Sequence, residues 1–154
     1  MKLSEIMTRE VVVIQPDDSL KSAAKKMKDR NIGFLPVCDG EELLGVLSDR
    51  DITIRALADG MDINVMLGRD LMTTPAIYAF EDQDVSEAAK IMAENQIRRL
   101  VIVNRDDKHV VGVISLGDLA RNDMKNLSGE VLQKVSEPDV TGPTENNNPQ
   151  AGAK

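Results

Sequence analysis

At 154 residues and 42% hydrophobic content the chain is long enough for one domain with a real core, and with only 2% aromatics that core has to be built from Val, Ile, Leu, Met and Ala. A formal net charge of −7 repels polyphosphate backbones and anionic headgroups, which argues against nonspecific nucleic-acid or membrane binding. The single Cys38 excludes an internal disulfide, no apolar run approaches the roughly 20 residues of a bilayer span, and Met1 to Glu5 lacks the apolar stretch of a secretory leader, so a cytoplasmic protein is expected.

In chain order, Leu3 to Ile6 reads as a short helical lead-in and the β-branched run Val11 to Ile14 as a first strand. Pro16-Asp17-Asp18-Ser19 then supplies a turn and helix N-cap candidates. Leu20, Ala23, Ala24 and Met27 fall at i, i+3, i+4 and i+7 with Lys21, Lys25, Lys26 and Lys28 largely opposite, which predicts an amphipathic helix. Phe34 to Cys38, the Asp39-Gly40 turn and Leu43 to Leu47 predict an antiparallel hairpin. From Ser48 a stripe of Ile52, Ala56 and Leu57 predicts a second helix, ended by Gly60 as a left-handed C′ residue. Met61 to Arg69 links the two halves of the chain, and Leu67 to Leu71 mirrors the lead-in.

The second half is a copy of the first. At an offset of 65, Met7-Thr8 meets Met72-Thr73, Asp17 meets Asp82, Ala23-Ala24-Lys25 meets Ala88-Ala89-Lys90, and Met27, Ile32 and Leu35 meet Met92, Ile97 and Leu100. An insertion within Asn104 to His109 moves the offset to 67, where Gly45-Val46, Ser48 and Asp51 meet Gly112-Val113, Ser115 and Asp118. Chance at about 6% per position would give roughly three identities over such a stretch, so the repeat is real. The fold expected is α+β, two βαββα repeats at 1–63 and 64–128. Beyond them, in 129–154, Glu130 to Val135 predicts one more helical turn, and Ser136 to Lys154 is too poor in apolar residues to offset its ordering entropy.

The sharpest constellation is Gly45-Val46-Leu47-Ser48-Asp49-Arg50-Asp51, echoed by Gly112-Val113-Ile114-Ser115-Leu116-Gly117-Asp118. A serine at a strand-to-helix junction can bind phosphate beside free N–H groups, the aspartate three residues on can accept a ribose diol, and glycine leaves room for a ligand to approach the backbone. The same Ser-x-x-Asp is equally a capping box that needs no ligand. Arg50 is a cation for which a capping box has no use.

Two βαββα copies with Met-Thr at the start, an Ala-Ala-Lys-x-Met helix and a Gly-h-x-Ser-x-x-Asp close resemble a tandem pair of cystathionine-β-synthase (CBS) domains, a Bateman module, over Leu3 to Asn122. Leu47 to Ile52 and Asn95 to Val103 are similar in particular to small stand-alone bacterial CBS-pair proteins. The resemblance implies pseudo-twofold packing, two clefts between the repeats and frequent homodimerisation. It also implies a regulatory ligand such as AMP, ADP, ATP or S-adenosylmethionine, with no required cofactor and an unnamed regulated partner. Carried over by residue, it puts Ser48, Arg50 and Asp51 with Arg98 and Arg99 at one cleft, and Ser115 and Asp118 at the other. There Leu116-Gly117 and Gly33-Phe34 replace the basic positions, so one good site and one weak or empty one are expected. Val12 and Ile77 could flank a purine, though strand packing explains both.

Nothing suggests catalysis. Val113-Ile114-Ser115-Leu116-Gly117 misses the first glycine of a nucleophile elbow, and G-x-x-x-x-G-K, G-x-G-x-x-G and C-x-x-C patterns are absent from the sequence. Cys38 reads as a small buried hydrophobe and His109 as a surface residue, neither implying a metal. The chain is expected to be a non-enzymatic adenosyl-ligand sensor. The alternative is a ligand-free dimerisation or interaction scaffold.

Overall fold

In the computed structural model, which describes residues 1–122 and 125–138, the two long helices begin where the caps place them. The Ser19 hydroxyl accepts the Ser22 N–H at 3.0 Å ahead of α2 (Leu20–Arg30), after α1 (Leu3–Ile6). Asp84 does the same for α5 (Val85–Asn95), accepting the Ser86 N–H at 2.9 Å. Both helices close on a left-handed residue, Asn31 and Gln96, each at φ 52. Leu20, Ala23 and Met27 are buried in α2, and Val85, Ala88, Ala89 and Met92 in α5.

Ala24 departs from the expected stripe and is exposed. Its counterpart Ala89 is covered because α7 (Lys125–Val135) packs on α5. That helix is longer than the single turn expected at Glu130 to Val135. Leu127, Val131 and Val135 recur at i, i+4 and i+8 and all turn to the second core, Val131 fully buried. Residues 139–154, most of the stretch expected to be disordered, lie outside the described residues.

Each repeat has its hairpin, β1 (Phe34–Asp39) with β2 (Glu42–Ser48) and β4 (Arg99–Val103) with β5 (Val110–Ser115). Gly40 takes φ 59 at the first turn. Parallel to β4 runs β3 (Tyr78–Phe80). Its expected counterpart at Val11 to Ile14 is no strand: only Ile14 bridges to Val37. Ile14 N–H donates to the Pro36 carbonyl and Cys38 N–H to the Ile14 carbonyl, at 3.0 and 2.8 Å. The next rung would need an N–H from Pro36, which has none, so the ladder stops there.

The second helix also differs between copies. In the second repeat α6 (Leu116–Arg121) is regular. In the first, α3 (Asp49–Asp51) widens over Ile52–Leu57 into π-type turns, Ala58 N–H reaching the Thr53 carbonyl at 3.0 Å. Ala56 is buried there, but Leu57, expected on the same stripe, is 68% exposed. Gly60 ends the segment at φ 68, as the sequence suggests.

The lead-ins are exchanged between the halves. α1 delivers Leu3 and Met7 into the core of the second repeat, while α4 (Gly68–Leu71) delivers Leu71 and Met72 into the first. Thr8 and Val113 exchange N–H···O bonds of 2.9 and 3.0 Å, and the equivalent Thr73 and Val46 exchange bonds of 2.8 and 3.1 Å. These reciprocal contacts express the pseudo-twofold relation of the α+β repeats. They also explain the paired glycines: a Cβ on Gly45 would lie 2.6 Å from the Thr73 carbonyl oxygen, and one on Gly112 would lie 2.5 Å from Met7 Sδ. The room that glycine leaves is filled by the partner repeat and not by a ligand. No described helix is long and apolar enough to cross a membrane.

Candidate ligand clefts between the repeats

Ser48 and Ser115 stand where β2 and β5 turn into α3 and α6. Each hydroxyl accepts, at 3.1 Å, the N–H of the aspartate three residues on. Each aspartate in turn accepts the serine N–H, at 2.9 Å for Asp51 and 2.7 Å for Asp118. Both are complete capping boxes. The junctions thus hold themselves in shape with no ligand bound.

The first cleft, of 380 Å³, has Ser48, Arg50, Ile77, Arg98 and Arg99 on its walls, together with Val46, Asp49, Pro75 and Ile97. Five of the expected residues are brought together. Asp51 is not among the lining residues: its carboxylate is taken up by the Ser48 N–H and faces Arg55 Nε at 3.8 Å. Ile77 is 37% exposed on the cleft wall, so strand packing does not account for it.

Arginine pairing separates this cleft from the rest of the surface. Arg9 donates to the Ser4 carbonyl, Arg55 to the Leu71 carbonyl, and Arg69, Arg105 and Arg121 to Asp17, Asp82 and Asp118. Among the described residues, the guanidinium groups of Arg30, Arg50, Arg98 and Arg99 have no hydrogen-bond or ion-pair partner. The last three converge on one cleft, where Asp49 is the only facing acid.

The second cleft, of 250 Å³, is lined by the equivalent positions Thr8, Val12, Ile32, Gly33, Phe34, Val113 and Ser115, and also by Asp118, whose counterpart Asp51 does not line the first. Val12 lines this wall and is only half-buried. The expectation that this cleft lacks a cation is corrected, because Arg99 and Arg121 both reach it. The guanidinium of Arg121 donates to Asp118, which also accepts the Ser115 hydroxyl at 2.9 Å. Asp118 is 8% exposed, and its charge is met on the spot. Arg121 follows Asp118 at i+3 in a helix, a spacing that could have located it. Arg99 reaches this cleft from β4, where the hairpin register sets it directly opposite Ser115, a placement that the predicted hairpin could have revealed.

A larger cavity of 490 Å³ lies apart from both clefts between α5 and α7, where Lys90 and Lys134 are paired with Glu94 and Glu137. Its lysines are both paired, which leaves Glu130 as a single unpaired acid among the described lining residues, and its size alone does not make it a site.

The CBS domain model matches residues 3–57 and 68–125. The chain belongs to the CBS domain family.

This CBS pair is 36% identical over 139 residues to the CBS domain-containing protein YhcV of Bacillus subtilis, covering 90% of this chain and 97% of that one. Hypoxic response protein 1 of Mycobacterium tuberculosis is 30% identical over 135 residues, 87% of this chain and 93% of that protein. A crystal structure of Hypoxic Response Protein I with two coordinated zinc ions superposes with a TM-score of 0.71 at 32% identity, covering 79% of this chain and 98% of that one. The CBS pair of protein MJ0100, solved with 5-methylthioadenosine and S-adenosylmethionine, matches with a TM-score of 0.71 at 28% identity, covering 82% and 98%.

Among the described residues of this CBS pair no group of three His, Cys, Asp or Glu side chains is placed to hold a metal. His109 joins the tips of the two hairpins, its Nε2 2.9 Å from Glu41 Oε2 and its Nδ1 3.0 Å from Asp107 Oδ2. Cys38 is 3% exposed, and burial pushes its thiol pKa up.

Proposed function

We propose that the protein is a non-catalytic cytoplasmic sensor that binds an adenine nucleotide or adenosyl ligand (AMP, ADP, ATP or S-adenosylmethionine) in the first cleft. The observation that carries this reading is the meeting of Arg50, Arg98 and Arg99, whose guanidinium groups are all without partners among the described residues, in a chain of net charge −7. Three unpaired cations held together repel one another, and a phosphate or carboxylate relieves that repulsion. Val46, Pro75, Ile77 and Ile97 offer an apolar surface for a base, and 380 Å³ falls in the roughly 300–1,000 Å³ range of small-ligand sites. The ligands of the MJ0100 pair support the adenosyl class. Ser48 binds through its hydroxyl, while Asp51 acts chiefly as the cap that fixes the junction.

Binding shifts the population of inter-repeat arrangements, which a dimer partner or an unidentified regulated protein reads. Ile54, Leu57, Met61, Ile63 and Val65, each at least 45% exposed along one stretch, support a homodimer through that face. The same strip supports the second reading, a scaffold with no physiological ligand.

Thermal unfolding against AMP, ADP, ATP, S-adenosylmethionine and NADH separates the two. At a hundredfold excess over Kd, selective binding adds about 2.7 kcal/mol. For a chain of this size that raises the Tm by roughly 5–10 °C. The rise is expected for at least one ligand and is lost in the Arg50→Ala/Arg98→Ala double variant. A flat profile across the panel leaves the scaffold.

A further inference from the structure

The two clefts share a wall. Gly33, Phe34 and Arg99 line both, the first residues of β1 and β4 lying where the clefts meet. Phe34 faces Ser48 across its hairpin and Arg99 faces Ser115 across the other, so the shared wall is apolar on one side and cationic on the other. The Arg99 guanidinium has no partner among the described residues, and nothing there commits it to either side. The need for it is unequal. The first cleft keeps Arg50 and Arg98 of its own. The second has Arg121, already held by Asp118, and also faces Glu10.

We propose that Arg99 is a single cation for which the two clefts compete, so that an anionic ligand in one weakens the binding of an anionic ligand in the other. The inference rests on the nucleotide-cleft reading above and adds its regulation. One guanidinium can meet one phosphate closely at a time. The first cleft fills first, draws Arg99 to itself, and leaves the second with a cation that its own carboxylate neutralises. An uncharged nucleoside makes no demand on Arg99, so its two binding steps are independent. Reciprocity requires the same factor whichever cleft fills first.

The test is calorimetric titration of the full chain with AMP and, separately, with adenosine. Ile77→Trp closes the first cleft and isolates the second. AMP should bind the second cleft about tenfold more tightly in Ile77→Trp than in the second step of the wild type. Adenosine should show less than a twofold difference, and Arg99→Gln should bring the AMP ratio to the same level. An AMP ratio near one, a ratio that persists in Arg99→Gln, an equal ratio for adenosine, or no AMP binding in Ile77→Trp would each overturn the shared-cation inference while leaving the first cleft as a site. If neither AMP nor adenosine binds the wild type, the shared-cation inference falls, and the nucleotide-cleft reading fails with it only when the thermal profile is flat across the whole ligand panel.

Discussion

The first cleft sets Arg50, Arg98 and Arg99 against Asp49, and the second sets Arg99 and Arg121 against Glu10 and Asp118. Their backbones are equivalent: each is bounded by a Gly-Val strand, a Ser-x-x-Asp box and a crossing Met-Thr segment from the other repeat. Many of the residues identical between copies thus cap helices, pack Met7 and the half-buried Met72 against the other repeat, and admit its backbone. Residues that differ, Arg98 against Gly33 and Arg99 against Phe34, line the clefts, as does Arg50, whose counterpart Gly117 lines neither. The shared positions keep the architecture of both clefts, and the differing ones change the charge of their walls.

The largest effects should come from breaking the crossing. A methyl on Gly45 meets the Thr73 carbonyl oxygen at 2.6 Å, part of the backbone, whereas one on Gly112 meets the flexible side chain of Met7 and only then the Thr8 carbonyl oxygen at 3.1 Å. Gly45→Ala should cost about 3 kcal/mol and Gly112→Ala about 1 kcal/mol in urea unfolding. Equal losses would mean that the two crossings give way alike. Next come the helix faces. Ala89→Lys, beneath α7, should cost about 2 kcal/mol, and Ala24→Lys, on the bare equivalent face, less than about 0.5 kcal/mol. A comparable loss at Ala24 would reveal an unseen cover on α2, such as a second copy of the chain. Smaller still, Arg98→Ala should weaken a phosphorylated ligand about tenfold in the first cleft, while Arg121→Ala leaves that affinity unchanged. Calorimetry reads both.

The repeat, both long helices, both hairpins and the paired junctions were legible because each is fixed by local pattern: period, cap and turn. Four features were not. The missing strand at Val11 to Ile14 depends on which residue lies opposite, and Pro36 is distant in sequence. The burial of Ala89 but not Ala24 depends on α7, of which the sequence reading took only the turn at Glu130 to Val135, although the Leu127, Val131, Val135 spacing carries a signal for the whole helix. At the clefts, residue types at Ser48, Arg50, Arg98 and Arg99 pointed to anion binding, and the structure gathers them. The role of Asp51 was ambiguous from spacing alone, since a ribose acceptor and a capping acid share it. The cations of the second cleft were missed because alignment of the copies searches only equivalent positions: Arg121 replaces Ile54, and Arg99 stands opposite Ser115 where its counterpart Phe34 carries no charge.

Helix caps supply the last and smallest contrast. Ser19 and Asp84 occupy equivalent positions ahead of α2 and α5, but only one can titrate. The Ser86 backbone N–H, followed by the Ser86 hydroxyl, holds the Asp84 carboxyl at about 2, down from its ordinary 3.8. A carboxylate with a depressed folded pKa contributes its full stabilisation above the unfolded value and loses it as pH falls through the folded one. The window is therefore pH 4 to 2. Asp82, lowered by its hydrogen bonds from Arg105, and Asp107, lowered through the His109 N–H against an opposing desolvation, lie in the same half. Acid should thus loosen the second repeat before the first. Asp84→Ser, which copies the cap of α2, should flatten the fall of the urea midpoint between about pH 4 and 2 and leave it unchanged above pH 5. Because Asp84 is exposed the change is small, and hydrogen exchange resolved by repeat is the sharper reading. Amides of α5 should gain protection at pH 3 in the variant while those of α2 stay as they were, and a uniform response would mean that the repeats open as one unit.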